Sequence, residues 1–504
     1  MTINHRGVYK DLNVFFGDIH NHCNASYGYG SLEEAIVNAK LQLDFTSVTL
    51  HAVWPDMPVD DPNLSYLVDY HRKGFSKAYA NWPSYLVQMD TFNQDGKFVT
   101  FPSYEWHSNE FGDHCVYYKN GLGNEIIDKP DLLSLREALH KAGSPAILIP
   151  HHIGYKQGYR GINWQTFTSD ISPVAEIMSF HGSSESSEGA YPYLHSMGPR
   201  HEMGTAQFGW ASGKIFGVIG STDQHHAFPG SYGEGRLGVW ASALTRDDIW
   251  EAIIKRRTYA LTGDRIELAF SLNGHLMGDI SPSAVNRIIE VAVTAGSNID
   301  YIEVLHNNRV IHRECPLPNY TNQSTYKVFV EVGWGEKSED TEWNVDLRVN
   351  NGNLLGVEPR FRGFRTKAES SNYKENVFTQ WERITSQQVH FNTSTSANPN
   401  FLTPATAGIS LEIQGNSETN IEIKVNELAF NHKLSDLING SRTHYLGGFV
   451  SPAICIHQAV PESDYKHKFS FTHHHEGSQR DWYHIRVRQR NDQWAWSSPI
   501  WVEK

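Results

Sequence analysis

The chain has 504 residues, of which 39% are hydrophobic and 20% are charged, and it carries a formal net charge of −13. This composition is typical of a globular protein, and the length predicts two to four domains. The acidic balance argues against nucleic acid as a partner, because binding to phosphates needs a basic surface. The sequence shows neither an apolar run of bilayer length nor a signal-peptide pattern, so we expect no membrane association and a cytoplasmic location.

The first 270 residues alternate short apolar runs with helical patterns. A capping-box sequence from Ser31 to Glu34 predicts the start of a helix. A long helix is expected around Tyr66–Phe92, within an insertion of the kind that forms lids or substrate walls, although a packed surface helix explains it equally well. Further helices are predicted after Ser134 and over Thr245–Arg257. Strands that alternate with helices in this way predict a mainly parallel sheet or barrel.

Strand after strand in this region stops at a histidine or an acidic residue. The candidate metal ligands at these strand ends are His20, His22, His51, Glu105, His114, His151, Asp223 and His225. In parallel barrels the reactive groups lie at the strand ends, and side chains two apart on a strand share a face. A single histidine here is more often an ordinary polar residue, but the joint pattern predicts a site for two or three divalent ions. Manganese or zinc is favoured, with iron as a further candidate.

After about residue 270 the pattern changes to short alternating segments separated by Asn, Gly, Ser and Pro. This pattern predicts an all-β sandwich at residues 271–504, after a barrel at residues 1–270. Residues 365–420 are rich in Ser, Thr and Asn and are expected to form long loops. The run His473-His474-His475 resembles a metal tag, but its polar surroundings favour a solvated loop. The composition indicates no oligomeric state.

The predicted metal site suits hydrolysis. Zinc or manganese lowers the pKa of a bound water to roughly 7, and two ions can clamp the attacking and leaving oxygens together. The sequence has no P-loop and no dinucleotide-binding glycine fingerprint after a strand, so redox and nucleotide-dependent chemistry are not indicated. Phosphoesters are the favoured substrates.

These residues resemble those of a known superfamily. The run from Phe16 to His22 with Ser26, followed by the strand-end residues already named, is similar to the PHP (polymerase and histidinol phosphatase) superfamily. Other segments resemble one branch, the domain of unknown function 3604, and they are Tyr104-Glu105-Trp106, Glu176-Ile177, Gly220–Asp223, Arg257–Ala260 and Trp496–Trp501. The resemblance implies a distorted (β/α)7 barrel with a binuclear or trinuclear metal site and a phosphatase or phosphodiesterase activity.

The resemblance also implies an assignment of ligands. One ion would be held by His20, His22, Glu105 and Asp223. Glu105 would bridge to a second ion held by His114 and His151, and His51 and His225 would belong to a third site.

The sequence departs from the superfamily pattern at three positions. Leu50 replaces a usual aspartate, Cys23 replaces a threonine, and Gly28 stands where a third-site ligand is often found. We therefore expect two firmly held ions and a third site that is weak or absent. Cys23 and Cys115 adjoin ligands but are expected to face the core, because neighbouring strand residues point to opposite faces.

Catalytic and substrate-binding roles are expected for residues around this centre. Asp223 would orient the water or bind metal, with His226 and His181 as further catalytic candidates. A small anionic substrate would contact Arg160, Arg200, His201, Glu185 and Arg257, since arginine forks match phosphate and carboxylate. Each of these residues is alternatively an ordinary surface or supporting residue. His152 either reaches the pocket or points away from it.

Three functions remain open from the sequence. The favoured one is a metal-dependent phosphoesterase. A hydrolase of the same architecture that cleaves a C–N or C–O bond, as amidohydrolases and lactonases do, is the first alternative, because few basic residues cluster near the site. The second alternative is a non-catalytic, metal-stabilised binding module.

Overall fold

The computed structural model describes residues 6–193, 197–319, 321, 323–336, 339–363, 379–398, 404–477 and 479–504. Within these ranges the protein is a mixed α/β structure with extensive β-sheets and few helices. None of the helices that it describes is both long and apolar enough to span a bilayer.

The helices fall mainly in the first half of the chain. They are α1 Leu32–Gln42, α2 Ser65–Phe92, α3 Leu132–His140, α4 Ala206–Ala211, α5 Arg246–Ile254, α6 Leu434–Ile438 and α7 Glu462–Tyr465, with 3₁₀ turns at Gly7–Tyr9, Pro62–Leu64 and Glu202–Gly204.

The strands of the first half are short. They are β1 Asn13–Asp18, β2 Phe45–Thr46, β3 Thr49–Val53, β4 Val99–Thr100, β5 Ser103–Trp106, β6 His114–Tyr118, β7 Ala146–Pro150, β8 Val174–Ser179, β9 Gly182–Ser183, β10 Gly217–Gly220, β11 Arg236–Ala241 and β12 Thr258–Leu261.

The second half is mostly strand. Its strands are β13 Glu267–Leu272, β14 His275–Leu276, β15 Ile280–Pro282, β16 Asn286–Thr294, β17 Ile299–His306, β18 Arg309–Glu314, β19 Thr325–Trp334, β20 Asp340–Asn350, β21 Asn353–Arg360, β22 Gln380–Arg383, β23 Gln388–Ser396, β24 Ala407–Gln414, β25 Asn420–Val425, β26 Leu428–Lys433, β27 Arg442–Tyr445, β28 Pro452–Ile456, β29 Val460–Pro461, β30 Lys466–His474, β31 Arg480–Gln489, β32 Trp494–Ser497 and β33 Ile500–Glu503.

Local sequence signals correctly located most helices of the first half. The Ser31 side chain accepts from the Glu34 backbone N–H, and the Glu34 side chain accepts from the Ser31 backbone N–H, so the predicted capping box begins α1. The long helix over residues 66–92 is present as α2. The third helix differs from the prediction, because Asp131 rather than Ser134 is its N-cap. Asp and Ser both have a short side chain whose oxygen can cap a helix, so the sequence alone does not show which of the two residues begins it.

The first half mixes parallel and antiparallel pairing. The pairs β1–β2, β2–β4, β3–β5 and β8–β10 are parallel, as the alternation of strands and helices predicted. The segment β5–β6–β7 is antiparallel, and β11 pairs antiparallel with β1. Parallel pairs bring successive carboxyl ends to one edge, which places the polar strand ends together.

One sheet joins the two halves of the chain. Its strand order is β15-β33-β31-β32-β12-β11-β1-β2-β4. The joint is the antiparallel pair β12–β32, in which Tyr259 lies opposite Ser497. The sequence pattern changes near residue 270, but this sheet continues across that boundary. The division of the chain into two domains at residue 270 stays a prediction.

Two apolar cores lie between facing sheets in the second half. One is shared by the sheets β21-β24-β19-β28-β27 and β22-β23-β20-β25-β26. The other lies between β14-β13-β16-β30 and the C-terminal strands of the joining sheet. Loops were expected over residues 365–420, but the structure has the strands β22, β23 and β24 in this region, so the prediction is wrong there. Residues 364–378 and 399–403 lie outside the described residues. Thr, Ser and Asn alternate there with buried residues such as Val389 and Phe391, which is a strand pattern.

Candidate metal centre

Two loops run side by side at the ends of β1 and β10. The Asp223 backbone N–H donates to the His20 carbonyl at 2.7 Å, and the His22 N–H donates to the Gln224 carbonyl at 2.7 Å. Asp18 holds this pairing, because its carboxylate accepts from the backbone N–H and the hydroxyl of Thr222, at 3.1 and 2.5 Å. Asp223 adopts a φ of +53°, a strained conformation of the kind that concentrates at functional sites.

The pairing brings three ligand atoms to one point. His22 Nε2 lies 3.2 Å from His20 Nε2 and 3.0 Å from Asp223 Oδ1. The opposite nitrogen of each ring is engaged, because His20 Nδ1 lies 2.9 Å from Glu176 Oε2 and His22 Nδ1 lies 2.8 Å from the Thr49 carbonyl. Neutral rings that donate through Nδ1 present bare lone pairs at Nε2. The two Nε2 atoms face one another.

Glu105 lies in the middle of the cluster. Its Oε1 is 2.8 Å from His151 Nε2, and its Oε2 is 2.7 Å from His51 Nδ1 and 3.9 Å from His20 Nε2. Oε2 is buried, and its contact with His51 is short but poorly aligned for a hydrogen bond. This central location matches the bridging position implied for Glu105. We call His20, His22, Glu105 and Asp223 the strand-end centre.

The electrostatics favour ionised carboxylates and a positive charge between them. Burial raises the pKa of Glu105, but the imidazoles of His107, His51 and His151 outweigh it and hold that pKa well below its usual value. Burial also raises the pKa of Asp223, and His20 with other histidines brings it well below the usual value. For His20, burial lowers the pKa, yet Cys115, Glu176 and Asp223 raise it well above 6.5.

A second group of imidazoles adjoins this centre. His51 Nε2 lies 3.2 Å from His225 Nε2, and His51 stacks on His22 at a centroid distance of 3.8 Å. The His225 Nδ1–H donates to the Asp223 carbonyl, at 2.9 Å. Burial, chiefly, lowers the pKa of His225 to about 3. Ligand atoms of His22, His51 and His225 lie within 4.8 Å of one another, so the residues expected to form a third site do converge.

The strand register turns His114 away from the centre. In the antiparallel pair β5–β6, Glu105 lies opposite Cys115, and Trp106 lies opposite His114. Directly opposed residues share a face, so His114 shares the face of Trp106. Its Nδ1 lies 2.8 Å from the Gly112 carbonyl. The structure thus contradicts the expected role of His114.

Cys115 occupies the face that His114 was expected to use. Its sulfur lies within 4.8 Å of ring nitrogens of His20 and His151. Burial raises the pKa of the Cys115 thiol to about 12. The residue also packs in an apolar core, but the expectation that it would face away from the ligands is wrong, because it shares the face of Glu105.

The sequence interpretation missed two residues next to Glu105. His107 Nδ1 lies 3.1 Å from Glu105 Oε1 and 3.1 Å from Asp113 Oδ2. A signal was present, since Glu105 and His107 are two residues apart at a strand end, like the two pairs that were noticed. Asp113 carried no such signal, because it precedes a strand instead of ending one.

His152 does reach the pocket. It lies 3.5 Å from both Asp113 and Asp223. Its φ of +43° departs from strand geometry and swings the ring inward. The alternation rule fails here because the strand has already ended at Pro150.

The two further catalytic candidates differ in position. His181 Nε2 lies 2.8 Å from Asp223 Oδ2, and its Nδ1 lies 2.6 Å from the Tyr155 hydroxyl. The ring of His226 instead stacks on Tyr29, at a centroid distance of 5.3 Å. His181 is therefore in contact with the centre.

Of the expected anion-binding arginines, only Arg160 lies at the centre. Its guanidinium pairs with Asp113, lies 2.8 Å from His107 Nδ1 and covers the Trp54 ring at 5.1 Å. Arg200 donates to the carbonyls of Ser183, Ser186 and Gly189. Its guanidinium supports a loop.

The remaining expected substrate contacts lie elsewhere. Glu185 is buried and accepts from Arg486 at 2.8 and 2.9 Å, with His484 at 3.1 Å. The Arg257 carbonyl accepts from the Trp240 N–H, and Trp240 pairs with Val14 at the start of β1. Arg257 therefore lies at the opposite end of β1 from His20. His201 lines a separate cleft of about 940 Å³, together with Lys156 and Trp164.

Aromatic side chains cover the centre. Tyr27 stacks on His51 at 3.6 Å, and Tyr70 of α2 packs against Tyr27 at 4.8 Å. His71 of α2 lies 5.8 Å from His107. The inserted helix therefore forms a wall of the site, one of the two roles expected for it.

The donor set fits divalent ions. A tetrahedral zinc with bonds of about 2.05 Å separates its ligand atoms by about 3.3 Å, close to the 3.0 and 3.2 Å observed around His22 Nε2. The Nδ1 contacts of both rings to a carboxylate and a carbonyl are the arrangement that orients metal-binding histidines. Oε2 of Glu105 lies 3.9 and 3.7 Å from the Nε2 atoms of His20 and His22 and supplies a further anionic ligand.

Comparison with known proteins gives one family match. Residues 231–303 match the family described as protein of unknown function (DUF3604). This match confirms the predicted resemblance to that branch. The residues of the candidate metal centre lie outside the matched segment.

Relatives at the sequence level come from Chlamydia. An uncharacterized protein of Chlamydia muridarum is 24% identical over 45% of this chain and 40% of its own length. One of Chlamydia pneumoniae is 24% identical over 47% and 41%, and one of Chlamydia trachomatis is 26% identical over 44% and 39%. The chain spans about two fifths of the length of these relatives.

A solved structure is remotely similar. It is a two-domain protein from Bacteroides vulgatus described as containing a predicted PHP-like metal-dependent phosphoesterase, with 13% identity and a TM-score of 0.31. The likeness covers 84% of this chain and 96% of that one.

Proposed function

We propose that this DUF3604-like chain is a metal-dependent hydrolase that acts on a small phosphoester. In this proposal the strands around the strand-end centre form a distorted (β/α)7 barrel, and the later sheets form β-sandwich layers against it. The substrate is a small anionic molecule.

One observation carries the proposal. His20 Nε2 and His22 Nε2 lie 3.2 Å apart with Asp223 Oδ1 beside them, while both Nδ1 atoms are engaged by other acceptors. Facing lone pairs repel unless a cation lies between them. A buried proton satisfies one such contact, whereas a divalent ion satisfies all of them together.

The residues divide between two ions. His20, His22, Glu105 and Asp223 would hold the first, and Glu105 with His151 would hold the second, with His107, His152 and Asp113 as further donors nearby. The third group, His22, His51 and His225, has no carboxylate of its own, so we expect it to be weak. Bound zinc or manganese supplies a Lewis acid that activates water at neutral pH.

The chain itself supplies proton handling and orientation. His181 joins Asp223 to the Tyr155 hydroxyl, at 2.8 and 2.6 Å, and this row can accept or return a proton at His181 Nε2. Asp223 orients the attacking water or shares in the metal. The wall of Tyr27 and α2 keeps bulk water out.

A second candidate function follows from the charges. Asp113 already pairs with Arg160, which lies at the centre, and Arg200 and Arg257 are engaged or distant. Phosphate binding would therefore rely on the metal ions. Because no free arginine among these three is available for phosphate, hydrolysis of a C–N or C–O bond remains the alternative function.

The test starts from metal content. The purified chain is stripped of metal, reloaded with manganese or zinc, and assayed on phosphomonoesters, phosphodiesters, amides and lactones. Metal-dependent turnover of phosphoesters supports the proposal. Turnover only of amides or lactones selects the alternative. A chain that binds no metal contradicts both, and one that binds it tightly without any turnover leaves the non-catalytic binding module.

A further inference from the structure

A second histidine cluster closes one end of the apolar core in the C-terminal half. In the pair β17–β31, His306 lies directly opposite Tyr483, and the two rings stack at 4.6 Å. Asp481 is two residues before Tyr483 on β31 and therefore shares its face. Facing them from β30 are His473 and, just beyond the strand, His475.

This placement corrects the expected solvated loop at residues 473–475. His473 and His474 are the last residues of β30 and pair with Arg287 and Asn286 of β16. His473 and His475 point toward His306, with ring centroids at 5.0 and 4.7 Å. The exposed His474 points away, and its Nδ1 lies 2.8 Å from Asn286 Oδ1. We call His306, His473, His475 and Asp481 the sheet cluster.

Two imidazole nitrogens of the sheet cluster lie close to one carboxylate. His306 Nε2 lies 3.2 Å from Asp481 Oδ1, and His475 Nε2 lies 3.6 Å from Oδ2. His306 Nε2 is buried, and its contact with Asp481 Oδ1 is short but poorly aligned for a hydrogen bond. A buried, unbonded imidazole nitrogen aimed at a carboxylate is costly unless a ligand satisfies it.

The donors have the chemistry of a zinc site. Three imidazoles and one carboxylate form a complete tetrahedral set, and separations of 3.2 and 3.6 Å compare with the roughly 3.3 Å between ligands of zinc.

Asp481 also contacts polar groups outside the three imidazoles. Arg287 donates to Oδ2 at 2.7 Å, and Asn307 donates to Oδ1 at 2.8 Å. A carboxylate oxygen can accept from more than one partner, so these contacts are compatible with a role for Asp481 as a metal ligand. The contact of 2.8 Å between His473 Nδ1 and the Tyr483 hydroxyl leaves Nε2 as the ligand atom of that ring.

We propose that His306, His473, His475 and Asp481 form a structural zinc site in the C-terminal half, separate from the candidate metal centre. The ion would tie the end of β30 to β17 and β31 and so fix one sheet on the other. The ligand class is a divalent transition metal that favours imidazole, with zinc as the representative ion.

The experiment counts zinc in the full-length chain. Because both ion positions of the candidate metal centre are also zinc sites in our proposal, the count is made in a His20→Ala, Glu105→Gln, Asp223→Asn background stripped of metal. We expect that background to keep one equivalent of zinc and to give the visible spectrum of four-coordinate cobalt when loaded with cobalt. His306→Ala and His475→Gln should each weaken zinc binding by at least about tenfold, in line with the loss of one ligand.

The matched control is His474→Ala, which removes a histidine of the same run that faces away. It should leave zinc affinity and the zinc-induced rise in Tm unchanged. The half-exposed His475→Gln variant should fold without zinc and lose that rise, so a folding defect of His306→Ala does not decide the test. A background chain that binds no zinc, or equal affinity in the His475→Gln and His474→Ala variants, overturns the proposal.

Discussion

The two histidine clusters differ in what balances their carboxylates. In the strand-end centre, the carboxylates of Glu105 and Asp223 are faced by the imidazoles of several histidines. In the sheet cluster, the buried Asp481 is paired with Arg287 before any metal is considered. Imidazoles yield their protons to incoming ions, whereas arginine keeps its charge. In our two proposals the first cluster holds two ions that perform chemistry, and the second holds one ion with a structural role.

The largest expected effect separates the clusters by activity. Asp223→Asn and His22→Ala each remove a ligand of the strand-end centre and should abolish metal-dependent hydrolysis. His475→Gln should leave turnover at the wild-type level, because its site is structural. Initial rates at saturating manganese or zinc test this difference. Wild-type rates in Asp223→Asn would remove the basis for the proposed mechanism.

The next effect concerns the arginine that distinguishes the sheet cluster. Arg287 and Asp481 are both fully buried and lie 2.7 Å apart. Arg287→Met removes the charge partner of the buried Asp481, and breaking such a buried ion pair costs about 3–5 kcal/mol of folding free energy. Saturating zinc should recover part of this loss. Urea unfolding with and without zinc measures both quantities, and an unchanged midpoint without zinc would contradict the prediction.

A third effect tests the joint between the two regions. Glu185 of the first half pairs with Arg486 and His484 of β31, the strand that carries Asp481. Burial raises the pKa of Glu185, but Arg486 and His484 outweigh it and lower the pKa from 4.5 to about 2. A carboxyl group whose pKa is lower in the folded state than in the unfolded state stabilises the folded protein at pH values above the unfolded-state pKa. That stability is lost as pH falls from about 4.5 to about 2.

The size of this acid effect is on the order of 3 kcal/mol, at 1.36 kcal/mol for each pKa unit. Glu185→Gln should therefore show a shallower fall in unfolding free energy over this pH range than the wild-type chain. Parallel curves for the two proteins would show that the ion pair does not carry the acid sensitivity.

The smallest effect probes the support of the strand-end centre. Glu176→Gln replaces the carboxylate that orients His20 through Nδ1. Loss of such a partner typically lowers metal affinity or activity by about 10- to 100-fold. Metal titration measures the change. The control is Glu34→Gln, a buried glutamate that caps α1 and should leave metal affinity unaffected.

The sequence predicted much of the strand-end centre because its pattern is local. Polar residues that end apolar strands converge whenever the strands are parallel neighbours, and this held for His20, Glu105, His151 and Asp223. The prediction failed where register matters. A shift of one residue moves a side chain to the other face of a strand, so Cys115 rather than His114 faces the centre.

Partners far apart in the chain were beyond the sequence pattern. Glu185 and Arg200 looked like substrate contacts, yet Glu185 pairs with Arg486, 301 residues away, and Arg200 satisfies a loop of carbonyls. The run at residues 473–475 looked solvated because its polarity was visible and its packing against His306 was not. Charge and polarity are properties of a residue, but burial is a property of its surroundings.

The sequence by itself determined the helix caps, the alternating strands and the gathering of histidines and carboxylates at strand ends. These follow from backbone geometry over a few residues. Only the tertiary structure decided which face each strand turns inward, which arginines are engaged, and that β12 and β32 join the two halves in one sheet. Those outcomes depend on contacts between segments hundreds of residues apart, whose pairing is fixed by the packing of the whole chain.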